Sequence, residues 1–220
     1  MSGVFHFDGS GGPASYPALN SFTAVSAEAG VDSKDAPTSY SATAALVNIW
    51  NQSRSAEGGK RYIIPRKLEL NSRQTTNTGA TDFRLHFYRD PAGRWSSGGT
   101  LLTAYPLTGS EDADFTHIAA DAQVYVGELT LSAASSLERV LWRTFVSNVI
   151  FLQGDKITIV WGGGGEIPVA PDPEFGVIHV PPMWLGPGNN LSIHELATGP
   201  QSADPKFQFN FWWEEVDLPA

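Results

Sequence analysis

The sequence predicts an all-β fold, a jelly-roll β-sandwich of about eight to ten strands with an extended N-terminal arm. Three observations carry that expectation. Near the C-terminus Phe207, Phe209, Phe211 and Trp213 alternate with Gln208, Asn210 and Glu214, the period of two by which a strand buries one face and wets the other. Just before it, the turn Gly186-Pro187-Gly188-Asn189-Asn190, rich in residues that tolerate positive φ, launches Leu191, Ser192, Ile193 and His194, which alternate again. The 22 glycines, 15 prolines and 7 tryptophans suit many short strands joined by tight turns.

Taken in order, residues 1–37 are rich in Gly, Ser, Ala and Pro and form the predicted arm, with 38–220 as the sandwich domain. A solvated tail needs no aromatic anchors, yet this one carries Phe5, Phe7, Tyr16 and Phe22, so the arm is expected to lie on a neighbouring subunit or another protein. Residues 42–51 make the first strand, favoured over a helix by Val47, Ile49 and Trp50. Residues 62–70 follow, and Pro65, which lacks a donor, predicts a sheet edge or a bulge there. In 82–90, Phe83, Leu85 and Phe87 point inward, with Arg84, His86 and Tyr88 outward. Asp90-Pro91-Ala92-Gly93 is a turn by composition.

Residues 100–105 read as a short extended piece, 108–121 as an acidic loop and 123–131 as a strand. Residues 140–150 are apolar on both sides, which predicts a strand covered twice; the competing helix is spelled by Glu138, Leu141, Trp142 and Phe145. Residues 156–161 and 175–180 complete the set before the two closing strands.

Composition narrows the function. A chain without cysteine has neither disulfides nor thiolate metal sites, so packing alone must hold it. The formal charge of −9 argues against nucleic acid as a partner, because phosphate binding needs clustered cations; Arg61, Arg66 and Lys67, the densest group, read as a solvated strand edge. No membrane is expected either, since there is no signal-peptide pattern and no run of about eighteen apolar residues.

The chemistry-bearing residues form no predicted centre. His6, His86, His117, His179 and His194 lack the i, i+2 or i, i+4 spacing of a metal grip. Glu111, Asp112, Asp114 and Asp121 are oxygen-rich but match no calcium-loop pattern and read as a solvated loop. Glu214 and Glu215 are adjacent on a strand, so they face opposite ways and cannot act as a glycosidase pair. No nucleophile elbow or phosphate loop is present. The expectation is a protein that is not an enzyme and takes no cofactor or metal. Trp212 is the informative residue: its register puts a large ring on the face opposite Phe211 and Trp213, where a subunit interface is the natural cover and the arm or a loop of the same chain is the alternative.

Residues 62–70, 81–85, 94–102, the 185–194 turn and the closing Phe211-Trp212-Trp213-Glu214 resemble a group of jelly-roll structural proteins of tailed bacteriophages. The resemblance spans about residues 40–215 and speaks to fold more than to role. It implies a capsid decoration or cement protein, a homotrimer made in the host cytoplasm and seated on the major capsid protein at the exterior of the virion. The arm and the acidic loop depart from the pattern. Two other roles stay open: a tail or head-to-tail component, and a carbohydrate-binding sandwich using Trp95, Trp184 or Trp212 as stacking platforms. A jelly-roll major capsid protein is disfavoured, since it calls for a more basic inner surface.

Overall fold

In the computed structural model the described residues are 19–32, 39–53, 60–73, 83–107, 120–146, 153–162, 177–197 and 206–218. They form thirteen strands: β1 (Leu19–Val25), β2 (Val31–Asp32), β3 (Ala44–Asn51), β4 (Lys60–Ser72), β5 (Phe83–Asp90), β6 (Trp95–Leu101), β7 (Ala104–Pro106), β8 (Ala122–Leu131), β9 (Arg139–Val146), β10 (Lys156–Trp161), β11 (Val177–Val180), β12 (Asn190–Ala197) and β13 (Lys206–Leu218). The larger sheet runs β11-β10-β4-β13-β1-β7, with β2 also paired to β13; the smaller runs β6-β8-β3-β12-β5-β9. The class is all-β and the two sheets share one core, as a sandwich requires. Thirteen strands exceed the expected eight to ten because β2 and β7 are only 2 and 3 residues long, and β6 contains a Gly98-Gly99 pair that hides it.

Each strand forms for a local reason. In β13 the inward Phe207, Phe209, Phe211 and Trp213 are all buried, while Trp212 on the other side is 41% exposed. β1 obeys the same rule, with Phe22 and Ala24 wholly buried and Val25 exposed. It lies inside the stretch 1–37 assigned above to the arm, so residues 19–32 belong to the sandwich. β4 is central, between β10 and β13, and Pro65 is accommodated by a bulge: Trp212 pairs with Lys67 and Trp213 with Pro65, leaving Arg66 as the extra residue. Arg61, Arg66 and Lys67 are therefore on an interior strand, not a sheet edge. The residues of β9 are likewise corrected. Apolar on both sides, they predict a doubly covered strand, but β9 ends the smaller sheet, and Val140 and Trp142 stay exposed.

The closing strands β12 and β13 belong to different sheets, so the chain crosses the sandwich between them. Rings span that gap. Phe22 stacks on Trp213 at 5.5 Å, Trp213 on Phe211 at 5.0 Å, and Phe211 meets Trp161 edge-on at 6.3 Å. Trp161 then meets Phe87 of the opposite sheet at 6.3 Å. Where the sheets meet at one side, Gly127 (φ 98) sits so close to Val31 and the Asp32 carbonyl that a β-carbon would collide with both.

Adjacent tryptophans on β13 give a direct test of this register. Trp213→Ala opens a cavity among stacked rings and is expected to cost about 3–5 kcal/mol in urea unfolding. Trp212→Ala on the outer face is expected to cost under about 1 kcal/mol.

Candidate functional site

The outer faces of the two sheets differ. That of the smaller sheet is closed by its own chain. Arg94, 1% exposed, donates to the carbonyl of Ser132 at 2.9 Å, to the carbonyl of Ala42 and to Glu138, with Asp90 3.9 Å away. One guanidinium thus ties its own loop to the one before β3 and to both ends of the β8–β9 loop. Asp90 accepts in turn from the backbone of Ala92 and Ser135, confirming the turn expected at Asp90. Tyr40 stacks on Tyr88 at 4.5 Å and donates to Glu138, which covers Tyr88 and His194. Tyr88 and His194, expected to face solvent, are consequently buried. Trp95 is spent in the same way: it stacks on Tyr125 at 4.3 Å and donates its indole N–H to the Gly98 carbonyl.

Beneath that cover Ser192 Oγ lies 2.9 Å from His194 Nε2, the distance of a nucleophile and its base. The other ring nitrogen faces the Ala44 carbonyl, which can only accept, so Nδ1 carries the proton and Nε2 accepts from the serine. Burial pushes His194 down to about 4, the Ala44 bond opposing it. Both side chains are almost wholly enclosed among the described residues, and the His194–Ala44 bond ties β12 to β3. His179 and His194 lie in separate sheets and do not meet. Among the described residues no group of three His, Cys, Asp or Glu is arranged to hold a metal ion.

Glu214 and Glu215 diverge as their register requires. Glu214 pairs outward with Arg66, whose Nε donates at 2.8 Å. Glu215 is wholly buried and accepts from the backbone N–H groups of Asp121 and Ala122 and from Trp213 Nε1, each at 3.0 Å. Burial raises its carboxyl pKa and these donors pull against that rise. Arg61 lies 3.6 Å from it and 3.5 Å from Asp121. Asp121 is thereby used to anchor β8; Glu111, Asp112 and Asp114 lie outside the described residues.

The outer face of the larger sheet is built otherwise. Strand pairing aligns Lys67, Trp212, Thr23 and Tyr105 in one row across β4, β13, β1 and β7. Beyond β4, Leu185 bridges to Ile63 with both side chains in the core, which turns Trp184 outward beside Tyr62, ring centroids 6.0 Å apart. Trp184, Trp212 and Tyr105 therefore stand on one face: Trp212 and Tyr105 are two strand widths apart in one row, roughly 10 Å, and Trp184 lies on the far side of β4 from Trp212, offset along the strands. They are 47%, 41% and 58% exposed, and Val25 and Leu107 add apolar surface near Tyr105. The polar groups of this face satisfy one another. Glu69 accepts from Lys67 at 2.7 Å, Lys156 at 2.9 Å and Asn210 at 3.3 Å. Its burial would raise the carboxyl, but these bonds prevail and hold it at about 2. With the charges paired off, the rings are what the face offers.

Of the residues expected to make contacts, Trp212 is on this face as its register predicts. Phe22 is corrected: it is 0% exposed in the core, because its ring is consumed by Trp213, and it cannot grip a neighbour. Phe5, Phe7 and Tyr16 lie outside the described residues. Sequence reasoning did not find Tyr105, whose partner in the row, Trp212, is remote in the chain; the short alternation Ala104-Tyr105-Pro106 was the available signal.

The buried imidazole makes stability depend on pH. Folded His194 stays neutral to about pH 4 while the unfolded chain takes up its proton near 6.5, so stability is full above 6.5 and is lost as pH falls toward 4. The loss is expected to reach about 3 kcal/mol. His194→Gln should remove most of that slope in urea titrations; an unchanged slope assigns it to other groups. No protein-family model, curated protein or solved structure matches the chain.

Proposed function

We propose that this β-sandwich is a non-catalytic binding module that works by docking through the outer face of its larger sheet. One observation carries the reading: three large aromatic side chains, Trp184, Trp212 and Tyr105, stand exposed on a sheet face whose charges are already paired. Large exposed rings gathered on one face mark interaction sites, and Trp and Tyr are the residues that interfaces favour. Burying them against a partner removes water from apolar area without stranding a charge.

The finer reading follows from the resemblance noted above: a structural protein of a tailed-bacteriophage virion, of the decoration or cement kind, assembling as a homotrimer on the major capsid protein. The chain's features suit it. A fastener needs no catalytic group, and a charge of −9 keeps free subunits apart before assembly. Its action is thermodynamic, since a protein that binds only the assembled shell stabilises it by the same linkage as a ligand for a native state. Phe5, Phe7 and Tyr16 would supply further contacts from the arm. A tail or head-to-tail component differs in copy number, a few per particle against hundreds, which gel densitometry of purified particles separates.

Trp212→Ala is expected to weaken self-association in sedimentation velocity while leaving the far-ultraviolet spectrum unchanged. Normal sedimentation of a well-folded variant removes the face from the assembly. A second reading, binding of an extended polysaccharide, is favoured by three exposed rings on one sheet face, with Trp212 and Tyr105 roughly 10 Å apart in one row. A glycan array decides it: binding that Trp212→Ala and Tyr105→Ala abolish supports the sugar, and an array without hits leaves the protein partner.

A further inference from the structure

A second surface lies at the opposite sheet and owes nothing to the aromatic row. β9 ends the smaller sheet; it pairs with β5 on one side and, among the described residues, with no strand on the other. Arg84 and Arg89 of β5 and Arg139 and Arg143 of β9 are all exposed. These are four of the 14 cationic residues of a chain with charge −9, gathered on two neighbouring strands. Arg89 bonds the side-chain oxygen of Asn189 at 3.0 Å, and Arg139 donates to the Ser136 and Glu138 carbonyls. Among the described residues no carboxylate pairs with Arg89, Arg139 or Arg143. Among the other described cations, Arg61, Arg66, Lys67, Arg94, Lys156 and Lys206 have carboxylate partners, and Arg73 bonds the side-chain oxygen of Gln208.

Charge on an edge strand ordinarily guards against sheet-to-sheet aggregation. A guard has no use for exposed apolar groups, yet Val140 and Trp142 are 44% and 39% exposed between Arg139 and Arg143. We propose that β9 is a docking edge for an extended acidic segment of another protein, which adds to the smaller sheet as a further strand. Main-chain hydrogen bonds to the open edge would supply affinity. A bulge in β9 puts Trp142 and Arg139 on the Phe87 face and Val140 and Arg143 on the Tyr88 face, so each face of the edge offers one cation and one apolar group. Carboxylates of the segment would meet Arg139 and Arg143, and its apolar side chains would cover Trp142 and Val140 beside them. Charge selects the occupant. Pairing two copies of β9 would set one arginine-bearing strand against another, which like charges disfavour. An acidic strand is attracted and steered to the same edge.

The test uses the full chain and a fluorescein-labelled peptide of repeated Glu-Glu-Val-Val, which sets glutamate and valine in turn on each face, matched to the 8 residues of β9. Anisotropy should report saturable binding that weakens as salt rises. The double variant Arg139→Glu/Arg143→Glu should bind at least about tenfold more weakly, and the milder Arg143→Gln by about threefold. Trp142→Ser should also weaken binding, whereas Trp212→Ala on the other sheet should leave it unchanged. Near-ultraviolet circular dichroism checks that each variant is folded. Absence of binding, binding retained by the folded double variant, or displacement by heparin at equal charge concentration regardless of Trp142 would each overturn the proposal.

Discussion

The structure depends on a chain of aromatic contacts through the middle of the sandwich. Phe22, Trp213, Phe211 and Trp161 of the larger sheet touch in sequence, and Trp161 meets Phe87 of the smaller one. With no cysteine available, nothing covalent joins the sheets, so shape and burial must. Large flat rings suit that task because each removes much apolar area from water while losing few rotamers. β13 is the strand that makes it work. It donates its odd-numbered side to this column and has β4 on one flank and β1 on the other.

Once that column is in place, the two outer faces have different fates. On the smaller sheet Arg94 binds the loop at Ala42 and both ends of the β8–β9 loop, Ser132 and Glu138, and Tyr40 closes over Tyr88 and His194. The imidazole beneath is held neutral, and the polar atoms around it serve the architecture. On the larger sheet no such strap crosses the described residues. Its charged side chains pair laterally, around Glu69 and between Arg66 and Glu214, and the rings between them stay open. Open rings on a scaffold whose charges are paired suit the attachment proposed for this face.

Much of this was legible in the residues themselves. The inward ladder of β13, the outward position of Trp212, the opposed directions of Glu214 and Glu215 and the disturbance at Pro65 all follow from side-chain alternation and a missing N–H. Other features were hidden. β1 is masked by the Ser- and Ala-rich composition around it, and β6 by Gly98 and Gly99. The residues of β9 look doubly covered because their sequence reports how apolar they are, without saying which neighbour exists to cover them. Tyr88 and His194 read as solvent-facing because their cover, Tyr40, belongs to a loop far away in the chain.

By itself, then, the amino-acid order determined which side chains of each strand share a face, since a period of two is a local property of extended backbone. Only the tertiary structure decided which faces meet water. That outcome depends on pairings between distant segments, such as Thr23 donating to the Phe211 carbonyl 188 residues away, and no local pattern encodes the energy of such a match.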